Sequence, residues 1–104
     1  MIEEIILNYL RENAFSCYTS MPEKPSGNFC ILEKTGSGYH NGLYSATLAI
    51  QSYGSSDYAA AQLSHHVGQA MLEVASCSLD TDYNFPDTTR KRPRYQAVFS
   101  ITHY

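Results

Sequence analysis

Apolar residues recur along this chain with two different periods, one helical and one of strands. Over residues 2–13, Ile2, Ile5, Ile6, Tyr9 and Leu10 fall at i, i+3, i+4, i+7 and i+8, which predicts a helix with one apolar stripe. Glu3 and Glu4 in its first turn and Arg11 near its end suit the helix dipole, while Leu7 lies off the stripe. A longer amphipathic helix is predicted over residues 55–77, where Leu63, Val67, Ala70, Met71 and Val74 share a face. Ser55 or Ser56 can cap it, and Asp57 puts negative charge at its positive end. Alanines at 59, 60, 61 and 70 keep one side thin. Gly68 costs about 1 kcal/mol relative to alanine in a helix interior, so close packing is its expected reason.

The remaining segments follow a period of two or carry turn signals. Residues 15–19 suit a short strand, and Pro22, Pro25 and Ser26-Gly27 prevent it from continuing. Residues 28–34 predict a strand that is apolar on both faces at its centre, hence away from a sheet edge. Residues 35–42, TGSGYHNG, predict a long, flexible hairpin tip. The following strand, 43–53, alternates Ala46, Leu48 and Ile50 against Ser45, Thr47 and Gln51. Residues 78–86 mix turn-forming Asp80, Asp82 and Asn84 with Tyr83 and Phe85, which suit a short strand. Residues 87–93 predict an exposed loop, and 94–104 a last strand with Tyr95, Ala97, Phe99 and Ile101 on its apolar side. The whole is an α+β pattern over a single domain, residues 1–104. It implies a small, mainly antiparallel sheet with two helices packed on one face and a mostly polar opposite face.

Charge narrows the function. The net charge of −3 argues against a general nucleic-acid binder, yet Arg90, Lys91, Arg92 and Arg94 gather four of the seven basic residues into one run. No charged residue falls between Lys34 and Asp57. Nine tyrosines and no tryptophan suit either strands or contact surfaces. Cys17, Cys30 and Cys77 are odd in number and widely spaced, as free thiols in a reducing compartment would be. The start, MIEEIILNYLREN, is acidic from its third residue and has the character of neither a signal peptide nor a membrane span.

Candidate chemistry is sparse. His65 and His66 are helix neighbours pointing about 100° apart, so they do not chelate together. His40 and His103 have no partner at a useful spacing, and no metal site is expected. A Ser–His–Asp arrangement is recognised by geometry rather than spacing, but no G-x-S-x-G elbow is present. The glycines of TGSG at 35–38 are followed by no GK[ST], so no phosphate loop is expected. These residues imply neither catalysis nor a cofactor.

Taken in order, several segments resemble the small tail terminator proteins of long-tailed bacteriophages, also described as minor capsid or head-tail joining proteins. They are the amphipathic first helix, PSGNFCILEKTGSG at 25–38, YSATLAIQSYGSS at 44–56, the helix opening DYAAAQL and the closing RYQAVFSITHY at 94–104. The likeness spans nearly the whole chain as one of order and texture. It implies an α+β subunit of a virion, without enzyme activity or cofactor, assembled in the host bacterium's cytoplasm. Such subunits form a ring, expected to be hexameric, at the head-proximal end of the tail, stopping tube polymerisation and offering a surface for head joining. The implied partners are further copies of itself, the tail tube protein and head-tail connector proteins, with DNA only as passing cargo and no membrane. The family's contacts are surfaces, so no residue role is carried over. Candidate assembly contacts come from exposure and charge instead: Tyr39, His40 and Asn41 on the hairpin tip, and Arg90, Lys91, Arg92 and Arg94 in the basic run. Three other roles compete with it: another connector component such as a stopper or adaptor, a nucleic-acid-binding regulator using RKRPR, and a small hydrolase.

Overall fold

The computed structural model describes residues 2–23, 27–74, 76–89 and 91–103, with the His40 side chain outside that description. The elements run α1 (Ile2–Glu12), β1 (Cys17–Tyr18), β2 (Phe29–His40), β3 (Leu43–Tyr53), α2 (Asp57–Leu72), β4 (Cys77–Asn84) and β5 (Arg94–His103). Five strands form one sheet in the order β1-β2-β3-β5-β4. β1 pairs parallel to β2, and the other neighbours are antiparallel. The fold is therefore α+β, as its periodicities imply.

Both helices lie on one face of the sheet. Ile6 and Leu10 of α1 and Val67 and Met71 of α2 join Leu32, Leu48, Ile50, Phe99 and Ile101 in a single core, each nearly sealed from solvent. Burial of side chains of this size stabilises by roughly 1.5–3 kcal/mol each, so this layer supplies most of the driving force. The Tyr9 hydroxyl donates to the Ala70 carbonyl at 2.7 Å, tying α1 to α2. The stripe on α1 is rotated from the predicted one: Ile5 is 62% exposed, and Leu7 packs against the core instead. α1 ends in a Schellman motif, with Phe15 N–H bonded to the Leu10 carbonyl, Ala14 N–H to that of Arg11, and Ala14 at φ 69° where glycine is usual.

Ser56 caps α2 by accepting from the Ala59 N–H at 3.1 Å. The helix stops at Leu72, earlier than the 55–77 stretch suggests, because Ser76 turns through φ 60° to begin β4. Gly68 is not a close-packing site: a Cβ there would meet nothing within 4 Å. The close approach is at Gly54, where a Cβ would lie 2.4 Å from the Ala60 nitrogen. There the first turn of α2 folds back on the end of β3.

Three connections differ from expectation. Residues 35–40 are ladder, not flexible tip: β2 pairs with β3 through His40↔Leu43, with one irregularity between Lys34 and Gly36. Cross-strand bonding there outweighs the local turn preference of the glycines. Only Asn41-Gly42 turns, with φ 52° and 81°, the signs of a two-residue type I′ hairpin. Residues 77–84 form a full strand beside β5 despite their aspartates. As an edge strand with exposed side chains it needs no apolar alternation. Finally, the described residues of 87–93 are no loose loop, because Asp87 and Arg92 exchange both backbone hydrogen bonds, at 3.0 and 3.1 Å.

Candidate assembly surfaces

The hairpin carries an aromatic row on its helix side. Tyr39 lies directly opposite Tyr44, and Tyr44 opposite His103. The ring centroids are 4.7 and 5.7 Å apart. Tyr39 is 64% and Tyr44 50% exposed, so the row is open to solvent rather than feeding the core. Beside it is a cleft of about 310 Å³ lined by Ile2, Glu3, Lys34, Ser37, Tyr44 and His103. Asn41 is exposed at the turn, and His40 belongs to β2. Of the expected tip residues, Tyr39 is thus held rigidly by a ladder. Tyr44 and His103 join it, though sequence reasoning named neither as a contact. Reading Asn41-Gly42 as a two-residue turn would have set Tyr39 against Tyr44 in advance.

The described part of the basic run, Lys91, Arg92 and Arg94, lies at the other end of the sheet, and its two arginines are turned inward. Arg94 packs its guanidinium 4.3 Å from the centre of the Phe85 ring and donates from Nε to the Phe85 carbonyl at 2.7 Å. Its Nη1 donates to the Tyr53 hydroxyl at 3.1 Å and lies 3.9 Å from Asp87 Oδ2. Tyr53 in turn donates to Asp87 Oδ2 at 3.0 Å. Asp87 is only 4% exposed, so this carboxylate, hydroxyl and guanidinium form a buried polar network. Burial, more than any neighbour, pushes the Tyr53 phenol above its ordinary pKa. Arg92 lies over the Phe29 ring at 5.4 Å, and Phe29 stacks on Tyr53 at 4.9 Å.

This second cluster roofs one end of the outer sheet face, which is therefore not uniformly polar: Phe29, Ile31 and Tyr53 are buried there with Met21 beside them. Arg94, expected as an exposed contact, is a structural residue, and Arg92 is half-buried. Lys91 stands exposed at φ 54°. Arg90 lies outside the described residues. The feature invisible in sequence is Asp87, because nothing local marks it as the buried partner of a residue on another strand.

Other chemistry-bearing residues come together less productively. No group of three or more His, Cys, Asp or Glu suited to a metal ion occurs among the described residues. Ser64, His65 and Asp82 line one cleft of about 220 Å³ beside α2, but the buried Ser64 Oγ has no hydrogen-bond partner among the described residues. The three cysteines are free thiols. Two of them, Cys17 and Cys30, are aligned neighbours across β1 and β2. A hydrogen bond from Cys30 lowers the Cys17 pKa, and the same bond with burial raises that of Cys30. No helix among the described residues is long and apolar enough to cross a membrane. In comparisons with known proteins, no family model matches the chain and no curated protein is significantly similar to it.

Proposed function

We propose that this chain is a structural virion subunit, a tail terminator that assembles into a ring, expected to be a hexamer, on the head-proximal end of a phage tail tube. The observation that carries this reading is the separation of two exposed features along one stiff sheet. The aromatic row at Tyr39, Tyr44 and His103 lies at the hairpin end. The turn carrying Lys91 lies at the other, in a molecule 43 Å long and 24 × 22 Å across. A terminator needs two unlike faces, one complementary to the tube and one that refuses another tube subunit while accepting the head connector. A two-ended subunit standing along the ring axis supplies both. The order of segments resembling terminator proteins supports the same conclusion.

In this reading the partners are further copies of the chain, the tube protein and the connector proteins, with DNA passing through the ring. The role requires no cofactor and no reaction. A DNA-binding regulator is less well supported, since Arg92 and Arg94 are engaged inside the molecule. The test is deletion from the parent phage followed by electron microscopy of the tails. Over-long tails are the expected result. Tails of normal length detached from heads would overturn the terminator assignment in favour of a stopper or adaptor.

A further inference from the structure

The sheet has two open edges. β1 covers only Cys30 and Ile31 of β2, leaving residues 32–40 without a neighbouring strand on that side among the described residues. At the opposite edge β4 pairs, among the described residues, with β5 alone. We infer that these edges join between copies: β4 of one copy pairs antiparallel with residues 32–40 of β2 in the next, with Lys34 opposite Asp82. This deepens the ring reading and rests on it for closure, because a head-to-tail contact makes either a ring or an open filament.

Strand direction is the first support. β2, β3, β5 and β4 alternate in direction across the sheet, so β2 and β4 point opposite ways. Cyclic repetition of the subunit with its strands along the ring axis therefore makes every junction antiparallel.

Irregularities in the two edges are the second. On β2, Leu32, Lys34, Ser37 and Tyr39 share the helix side, since their β3 partners are Ile50, Leu48, Ala46 and Tyr44. A bulge at Thr35 shifts the alternation between Lys34 and Ser37. On β4 the helix-side residues are Cys77, Leu79, Asp82 and Asn84, with a matching bulge at Asp80. Setting Lys34 opposite Asp82 puts Leu32 against Asn84, Ser37 against Leu79 and Tyr39 against Cys77. The two bulges then fall opposite each other, and every helix-side residue meets another. Sliding by two residues in either direction sets helix-side against outward residues around the bulges, and sliding by one does so along most of the strand.

The third support is charge and space. Lys34 and Asp82 are of opposite sign on the same side, and a directly opposed pair of this kind favours its register. Asp82 lines the cleft between α2 and β4 into which Gly68 opens and beside which Leu72 is 52% and Leu79 40% exposed. No described residue of the isolated subunit fills that cleft, and the buried Ser64 Oγ there has no partner among the described residues. The stem of an incoming Lys34 covers the leucines while its ammonium reaches Asp82. Within its own chain Lys34 lies 3.7 Å from Glu3 and is 37% exposed, so it is free to exchange that contact.

Disulfide trapping in the full-length chain tests the register. The variant Ser37→Cys/Leu79→Cys, with Cys77→Ser, carries both halves of the junction. Mild oxidation by a low-molecular-weight disulfide over a concentration series is expected to give a ladder of covalent multimers. Its yield should be about tenfold above that of the off-register control Ser37→Cys/Tyr83→Cys in the same background. A yield no higher than the control's overturns the pairing. Lys34→Asp in the trapping background should lower the yield about tenfold, and adding Asp82→Lys should restore it. Failure of that rescue removes Lys34–Asp82 as the registering pair. A ladder combined with normal-length tails after gene deletion refutes the terminator role alone. Over-long tails without a ladder refute edge pairing alone.

Discussion

Replacing Arg94 with methionine should separate the inward role of this residue from the outward one its basic neighbourhood suggests. Methionine keeps much of the stem volume and removes the guanidinium. In the fold the guanidinium faces Asp87 Oδ2 at 3.9 Å, with side chains only 14% and 5% exposed. At an effective dielectric of about 20 a unit pair at this separation is worth roughly 4 kcal/mol before desolvation is counted. Breaking a buried pair by removing one partner costs about 3–5 kcal/mol. The hydrogen bonds to the Phe85 carbonyl and the Tyr53 hydroxyl are lost with it. We therefore expect Arg94→Met to destabilise by about 3 kcal/mol or more in urea unfolding, whereas Lys91→Ser at an exposed turn should stay within about 0.5 kcal/mol. Adding Asp87→Asn to Arg94→Met should recover part of the loss, because a buried carboxylate that has lost its guanidinium neighbour is then replaced by a neutral amide. If Arg94→Met costs no more than Lys91→Ser, Arg94 is not a structural residue and the network reasoning fails.

Packing and titration give two further expected outcomes. Gly54→Ala should destabilise by about 1–3 kcal/mol, since the added Cβ would stand 2.4 Å from the Ala60 nitrogen and 2.8 Å from the Ala59 carbonyl carbon, both backbone atoms. Gly68→Ala should instead stabilise the isolated chain by about 1 kcal/mol through helix propensity, and thermal unfolding of the two variants shows the contrast directly. The raised pKa of Tyr53 means that the folded state holds this proton more tightly than the unfolded one. Its contribution is complete below the ordinary phenol value of about 10 and is lost as pH rises through the folded value. The alkaline limb of the stability–pH curve should accordingly be shallower for Tyr53→Phe than for the parent, and equal slopes would contradict the assignment.

Much of the architecture was already present in local patterns. The helical spacing of Ile6 and Leu10, of Val67 and Met71, and the alternation through Ala46, Leu48 and Ile50 each select an element and its buried side. A period of residues along the chain dictates which face can be desolvated. Ser56 and Asn41-Gly42 act within a few residues of themselves, so a cap and a turn were legible there too. For these elements and for the α+β class nothing further is needed.

Tertiary structure decided whatever depends on residues distant in the chain. Residues 35–40 extend β2 because β3 offers a continuous row of hydrogen-bond partners, an effect no window around the glycines contains. Residues 77–84 become a strand because β5 places an edge beside them, and an edge tolerates polar side chains on both faces. Arg94 is turned from a surface charge into a buried one by Tyr53 and Asp87, which reach it from β3 and from the 85–93 connection. Periodicity reports which side of an element avoids water. Which element lies beside it, and hence whether a charged residue faces solvent or a buried partner, is set only when the sheet closes in the order β1-β2-β3-β5-β4.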